Sequence, residues 1–375
     1  MKPETYLYLH IPFCRHRCEY CSFYSVDEFR WKAAYLEALK KELSRLSDAY
    51  PVRLKTVYFG GGSPAVLSIE ELQELFDVLR STFELALEEC TIEMNPHQVK
   101  PDYVRGLLEI GFNRVSLGVQ SLDQSYLDAI GRKSLAPRSV TAFQILRQAG
   151  FDNISLDLIY GGPGSSVDSV KRDLDAFLEL GPEHISTYCL SIDEGCALDQ
   201  KLRQGLIHLP EDDLIADQME FITSHLETNG FNRYEISNYA RPGRESKHNL
   251  AYWTYRDTLG AGAAAVYTYQ NRRVENVPDI EKYIALCEAG AFPPGELTVL
   301  SDEDRRLEAI MMGLRLKEGI SVSEFNRRYA ANLLEDYGAW IAKFEKTGLL
   351  ELSGDRLSFR GAGLNLSNAI LSELF

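Results

Sequence analysis

Cys14, Cys18 and Cys21 put three of the chain's seven cysteines within eight residues, in the spacing C-x3-C-x2-C. Three thiolates on one short loop can hold three irons of a 4Fe-4S cube. The fourth iron then has no protein ligand, and an open metal position is where chemistry happens. A second reading is structural zinc, with His10 or His16 completing a Cys3His set. Such sites usually draw on two separated pairs, and the next cysteine, Cys90, is far along the chain. A disulfide fits least. The cysteine count is odd, the spacings form no framework, and the first residues carry no signal-peptide pattern.

The elements around these thiols are legible as alternating units. Residues 6–13 alternate, contain aromatics and end near Pro12, which predicts a strand that delivers the cysteines onto its exit loop. A helix is expected from Trp31 onward, with apolar residues recurring at three and four. Strands follow at 56–59, 91–94, 114–120, 153–159 and 184–190, with helical segments between them, one through Leu72, Leu75 and Leu79. Gly111 and Gly150 stand where two of those helices should stop. Repeated strand–helix units imply parallel strands with right-handed crossovers. The expected strands end in polar or flexible residues: the cysteines, Gly60-Gly61-Gly62, Glu93, Gln120 and Asp157. Strand ends of this kind gather the working residues of α/β barrels.

The run Leu7-Tyr8-Leu9-His10-Ile11-Pro12-Phe13-Cys14, with the C-x3-C-x2-C that it opens, resembles the radical S-adenosylmethionine superfamily. Within it, the chain resembles the oxygen-independent coproporphyrinogen III oxidase family and its haem chaperone branch, over nearly its whole length. The resemblance implies an α/β fold, a partial (β/α)6 radical SAM barrel, and the six expected units agree. It implies a 4Fe-4S cluster on Cys14, Cys18 and Cys21 whose open iron chelates S-adenosylmethionine, and reductive cleavage of the sulfonium to a 5′-deoxyadenosyl radical. Gly61, Gly62 and Ser63, in Gly60-Gly61-Gly62-Ser63-Pro64, match the element whose backbone meets the methionine end of that cofactor. Tyr8 matches a tyrosine beside it, and Glu93 reads as a carboxylate for ribose hydroxyls. Tyr20, Gln120, Arg132 and Asp157 match positions that surround a second S-adenosylmethionine in the oxidase.

Beyond the sixth strand the pattern changes. A helix is expected over 210–227, followed by Ser246-Lys247-His248-Asn249-Leu250-Ala251-Tyr252-Trp253. This HNxxYW element resembles the family outside the barrel. It implies a haem site in which His248 ligates iron while Tyr252 and Trp253 cover the porphyrin. The alternative is a packed corner with a hydrogen-bonded histidine. Residues 260–265 read as a flexible small-residue run and not as a dinucleotide fingerprint. Val266 and Ser134 stand where the family often has histidines, so any role of those histidines has no carrier here. From Ser301 the chain is helical, and 348–359 reads as a hairpin around Ser353-Gly354-Asp355. That order resembles a winged-helix-like module, expected to cover the open side of the barrel. The domains expected are a radical SAM core at 1–230, a connecting segment at 231–300 and a winged-helix-like C-terminal domain at 301–375.

Composition narrows function by exclusion. Forty Lys and Arg against 55 Asp and Glu give a net charge of −15, which argues against a nucleic-acid partner held on a broad basic surface. Hydrophobic residues at 45% and charged residues at 25% are ordinary for a globular protein. No apolar run approaches the ~20 residues of a membrane helix. The cytoplasm is the expected compartment, since its reducing conditions suit a thiolate-bound cluster. The family resemblance implies two functions: a radical enzyme that decarboxylates coproporphyrinogen III, and a chaperone that binds haem and carries it to acceptor proteins, respiratory enzymes of the membrane among the candidates. The oxidase carries a further cysteine two residues past the cluster, where this chain has Phe23, and an arm before the first strand that this chain lacks. Both features favour the chaperone branch. A monomer or a cluster-dependent dimer is expected.

Overall fold

Alternate burial along the strands accounts for the architecture. Leu7 and Leu9 of β1 (Glu4–Ile11), Val57 and Phe59 of β2 (Arg53–Gly61), and Ile92 of β3 (Glu84–Met94) are fully buried. So are Val115 and Leu117 of β4 (Arg114–Gln120), Leu156 of β5 (Ile154–Tyr160) and Ile185 of β6 (His184–Cys189). One face of the sheet is therefore apolar, as the period of two requires. The crossover helices are α1 (Lys32–Ala49), α2 (Ile69–Thr82), α3 (Pro101–Ile110), α4 (Gln124–Ala129), α5 (Ala136–Ala149) and α6 (Val167–Leu180). They bring apolar stripes to that core; Leu72, Leu75 and Leu79 of α2 are all buried, as expected. The computed structural model describes residues 2–374.

Strands β1 to β6 pair in sequence order and all in parallel. Three more extend the sheet. At one edge β8 (Asn238–Ala240) runs antiparallel to β6, and β7 (Asn232–Arg233) antiparallel to β8. At the other, β9 (Thr258–Ala261) runs parallel to β1. The order is β7-β8-β6-β5-β4-β3-β2-β1-β9, and the two ends do not meet. The sheet is thus open, the partial barrel that the family resemblance implies. Strands β2 and β3 begin earlier than their apolar centres indicate, because their first residues alternate with charges that reach solvent.

The caps follow the sequence. Gly111 and Gly150 end α3 and α5 at φ of 118° and 112°, a left-handed conformation that favours glycine. The run at 260–265 departs from expectation: its first two residues end β9, paired with Tyr8 and Leu9 of β1, and the rest forms a tight turn. A Cβ on Gly262 would lie 2.5 Å from the carbonyl oxygen of His10, so the small side chains serve close approach.

The remaining elements are α7 (Ala197–Arg203), α8 (Asp212–Thr228), α9 (Lys247–Trp253) and α10 (Ile280–Ala289), with an antiparallel sheet of β10 (Val266–Tyr269), β11 (Arg272–Asn276) and β12 (Gly295–Val299). The buried carboxylate of Glu42 in α1 ties this region down. It accepts from the Gly262 amide at 2.8 Å, Asn276 Nδ2 at 2.7 Å and the Tyr283 hydroxyl at 2.5 Å. The C-terminal region holds α11 (Asp302–Gly313), β13 (Ile320–Ser321), α12 (Val322–Tyr329), α13 (Leu333–Asp336), α14 (Gly338–Lys346), β14 (Leu350–Ser353), β15 (Arg356–Phe359) and α15 (Ser367–Leu371). Its helices open on a Ser301–Asp304 capping box, and its hairpin turns at Ser353-Gly354-Asp355, both as expected. It has its own apolar core around Ile310, Leu314, Phe325, Ile341 and Leu357. Among the described residues no helix is long and apolar enough to cross a membrane.

Candidate functional site

The cysteine loop leaves β1 and is clasped at its root. The Cys14 amide donates to the Val26 carbonyl at 2.9 Å, and the Val26 amide to the Pro12 carbonyl at 2.7 Å. Two paired backbone bonds close residues 14–26 into a loop at the C-terminal end of the sheet. Cys14, Cys18 and Cys21 are free thiols, each half-buried. Partial burial pushes the Cys14 and Cys21 thiols up. Among the described residues no group of three His, Cys, Asp or Glu side chains is drawn together closely enough to hold a metal ion. His10 is already engaged: Nδ1 meets the Tyr8 hydroxyl at 3.1 Å and Nε2 the Tyr24 carbonyl at 3.0 Å.

Arg132 reaches the loop from the segment after α4. Its Nη1 donates to Cys18 Sγ at 3.3 Å and lies 3.5 Å from the Tyr20 hydroxyl. Its Nη2 donates to Asn95 Oδ1 at 2.7 Å and to the Gly118 carbonyl at 2.5 Å. One guanidinium thus joins the cysteine loop to the ends of β3 and β4. Tyr20 packs on Tyr126, Ile130, Ile159 and Leu198, and burial raises its phenol.

The glycine triplet serves close approach to β1. The Gly62 amide donates to the Ile11 carbonyl at 2.9 Å, and a Cβ on Gly62 would lie 2.8 Å from the Pro12 carbonyl. Gly61 has φ of 112° and faces the His10 ring. Ser63 is buried; its hydroxyl donates to Gln98 Oε1 at 2.9 Å and accepts from Asn95 Nδ2 at 3.1 Å. Tyr8 stacks on Tyr58, with ring centroids 6.1 Å apart.

Register carries the carboxylates onto the concave face. Glu93 pairs with Ser116, Gly118 with Asp157, and Asp157 with Ser186. Glu93 accepts from the Tyr58 hydroxyl at 2.8 Å and the Gly61 amide at 3.3 Å. Burial outweighs these bonds and pushes its carboxyl up to about 7. Asp157 accepts from Ser116 Oγ at 3.1 Å, and burial takes it up to about 6. Gln120 closes β4 at φ of 73°, and its buried Oε1 has no partner; nor has Nε of Arg132. A strained residue and two unsatisfied buried polar atoms at one mouth are features of a ligand site.

Of the HNxxYW residues, His248 and Tyr252 meet and Trp253 does not join them. His248 is buried, with Nδ1 2.7 Å from Thr56 Oγ1 and Nε2 3.3 Å from the Tyr252 hydroxyl. Its ring stacks on Tyr58, and burial takes its pKa down to about 3. Trp253 points elsewhere, into a cavity of about 630 Å³ between α9 and the C-terminal region. The split is helical geometry: positions 248 and 252 share one face, and 250, 253 and 254 the other.

Several residues escaped the sequence reading. Asn95 bonds both Arg132 and Ser63, and its place one residue past a strand could have revealed it. Glu89 receives the Lys247 amide at 2.8 Å and the His248 amide at 3.2 Å, capping α9 across 158 positions of sequence. Arg114 is buried at the base of the same concave face. No local signal marks these last two.

Known proteins agree with this architecture. The model of the Radical SAM superfamily matches residues 8–177, and that of the HemN C-terminal domain matches 300–366. The chain is 34% identical to the haem chaperone HemW of Lactococcus lactis, over 99% of this chain and 97% of that protein. It is 33% identical to the haem chaperone HemW of Bacillus subtilis, over 98% and 99%. The solved structure of coproporphyrinogen III oxidase (HemN) from Escherichia coli shares its fold. The TM-score is 0.85 at 22% identity, covering 99% of this chain and 89% of that one.

Proposed function

This chain belongs to the radical SAM superfamily and, within it, to the oxygen-independent coproporphyrinogen III oxidase-like family in its haem chaperone HemW branch, and on that premise we propose that it binds haem and passes it to acceptor proteins. The observation that carries the reading is the likeness to haem chaperones along 99% of the chain. Phe23 supports it: it is 68% exposed beside the cysteine loop, where the decarboxylating relatives carry a thiol.

We assign a 4Fe-4S cluster to Cys14, Cys18 and Cys21, and S-adenosylmethionine to the mouth around them. The donor set fits. Three free thiols share one clasped loop, and the unpartnered Gln120 Oε1 and Arg132 Nε face a polar ligand's needs. When bound, the cluster supplies one-electron chemistry and an open iron. Arg132 holds the loop against β3 and β4 and donates a hydrogen bond to the Cys18 sulfur. Glu93 retains a proton up to about pH 7, so at neutral pH it can donate to or accept from a ribose hydroxyl. Tyr8, Gly61, Gly62, Ser63, Tyr20 and Asp157 complete the walls. We take residues 1–230 as the core, 231–300 as the connection and 301–375 as the C-terminal domain. The cytoplasm, which keeps thiols reduced, is the compartment that suits it.

The test is anaerobic. The reconstituted, reduced protein is incubated with S-adenosylmethionine and coproporphyrinogen III while product is followed by chromatography, and haem is titrated in parallel at the Soret band. Stoichiometric haem uptake without decarboxylation is the expected result. Formation of protoporphyrinogen would make the chain an oxidase and sink the proposal.

A further inference from the structure

Resting on the haem-binding reading above, the structure assigns the haem, a planar apolar dicarboxylate, to the cavity between α9 and the C-terminal region. This seat lies apart from the cysteine loop. The cavity of about 630 Å³ is within the range of small-molecule and cofactor pockets. Trp253, Tyr255, Phe325 and Tyr329 supply aromatic walls on which a porphyrin plane can pack.

The charge of the lining is the second argument. The chain carries −15 overall, yet Arg233, Arg256, Lys317, Arg328 and Arg356 line this cavity against Glu245, Glu318 and Glu324. Arg256 pairs with Glu324, and Lys317 with Glu227 outside the cavity. Arg233, Arg328 and Arg356 have no carboxylate partner among the described residues. Arg233 is buried and donates to the Ile236 carbonyl at 2.6 Å and to Asn365 Oδ1 at 2.9 Å. Arg328 is half-buried and holds the Thr254 carbonyl at 3.1 Å. Glu318 and Glu324 are exposed at the rim, as are Arg256, Lys317 and Arg356, which leaves Arg233 and Arg328 as the inner cations and Glu245 as the one half-buried acid on the wall. Inner guanidinium groups without counter-ions fit the two propionates of a haem.

The third argument is exclusion from the other face of α9. His248 meets Thr56 there, five positions before β2 ends at Gly61, with both ring nitrogens bonded. A haem iron at His248 would have to break both bonds and displace the stacked Tyr58. On the cavity side, the Tyr329 hydroxyl is buried without a partner, an oxygen donor open to iron.

Haem is titrated into the full-length, cluster-reconstituted protein, and protoporphyrin IX and its dimethyl ester are then tested as competitors. Arg328→Gln should raise the Kd for haem roughly tenfold, the scale of one charge-assisted contact. Glu245→Gln should lower it by about threefold, a gain that misfolding does not produce. The diacid should compete better than the diester on the wild type, and the gap should shrink on Arg328→Gln. A wild type that binds haem, with neither variant changing its Kd, overturns the seat and leaves the function standing. A wild type that takes up no haem overturns the function, and the seat with it.

Discussion

Arg132 places its Nη1 3.3 Å from the sulfur of Cys18, across 114 positions of sequence. The contact fixes where the cysteine loop sits over the sheet. The same guanidinium spans the ends of β3 and β4, so one side chain ties the Cys18 thiol to both strand ends.

The loop thiols are separable from the others. Cys14→Ala, Cys18→Ala or Cys21→Ala should each remove the cluster. Cys90 and Cys287 are buried in the apolar core, and replacing them, Cys189 or Cys196 should leave cluster content unchanged. Iron and sulfide analysis after anaerobic reconstitution reads the difference. A full cluster in Cys18→Ala would refute the ligand assignment.

Arg132→Met keeps most of the volume and removes every bond. The Gly118 carbonyl and Asn95 Oδ1 lose their donor in a buried setting, a cost of about 1–3 kcal/mol. Urea unfolding should report that loss, and S-adenosylmethionine affinity should fall with it. Wild-type stability in this variant would mean that the bridge is dispensable.

Gly62→Ala tests the root of the loop. The added Cβ would sit 2.8 Å from the Pro12 carbonyl, which is backbone and cannot turn aside. The expected cost is about 1–3 kcal/mol of overpacking, with reduced cluster yield. The same change at Gly164, where a Cβ meets nothing within 4 Å, is a poor mimic only because its φ is 74°.

Glu42 should make stability fall as pH rises. Burial raises its carboxyl from 4.5 to about 7, so between those values the folded state holds a proton that the unfolded chain has released. Its contribution is complete below about pH 4.5 and is lost as pH climbs through 7, on the order of 3 kcal/mol at 1.36 kcal/mol per pKa unit. Urea midpoints for the wild type and Glu42→Gln at several values between pH 5 and 8 check this. The variant should show the flatter profile in that window, and parallel profiles would refute it.

His248 acts with the opposite sign. Burial lowers its pKa from 6.5 to about 3, so the unfolded chain takes up a proton first as pH falls. Stability supplied by the neutral ring is present above about 6.5 and is lost progressively toward 3. His248→Gln should cost about 1–3 kcal/mol at pH 7, through the unpaired Thr56 hydroxyl, and should lose less on acidification. An acid slope unchanged from wild type would show that this ring does not titrate with folding.

Local pattern determined the elements and some of the chemistry. The six parallel strands, the glycine caps at 111 and 150, the Ser301 cap and the clustered thiols all depend on neighbours within a few residues, and their spacing displays them. The polar residues at strand ends were readable because a period of two tells which residues share a face. Tertiary structure decided what distant segments do to one another. Arg132 reaches Cys18, Glu89 caps α9, and Gly260 and Ala261 pair with β1, each through contacts over 100 or more positions that leave no local trace. It also decided the fate of HNxxYW. The motif reads as one site along the chain, but a helix turns 100° per residue, so His248 and Trp253 face opposite sides and only the packing around α9 reveals which side opens on a cavity.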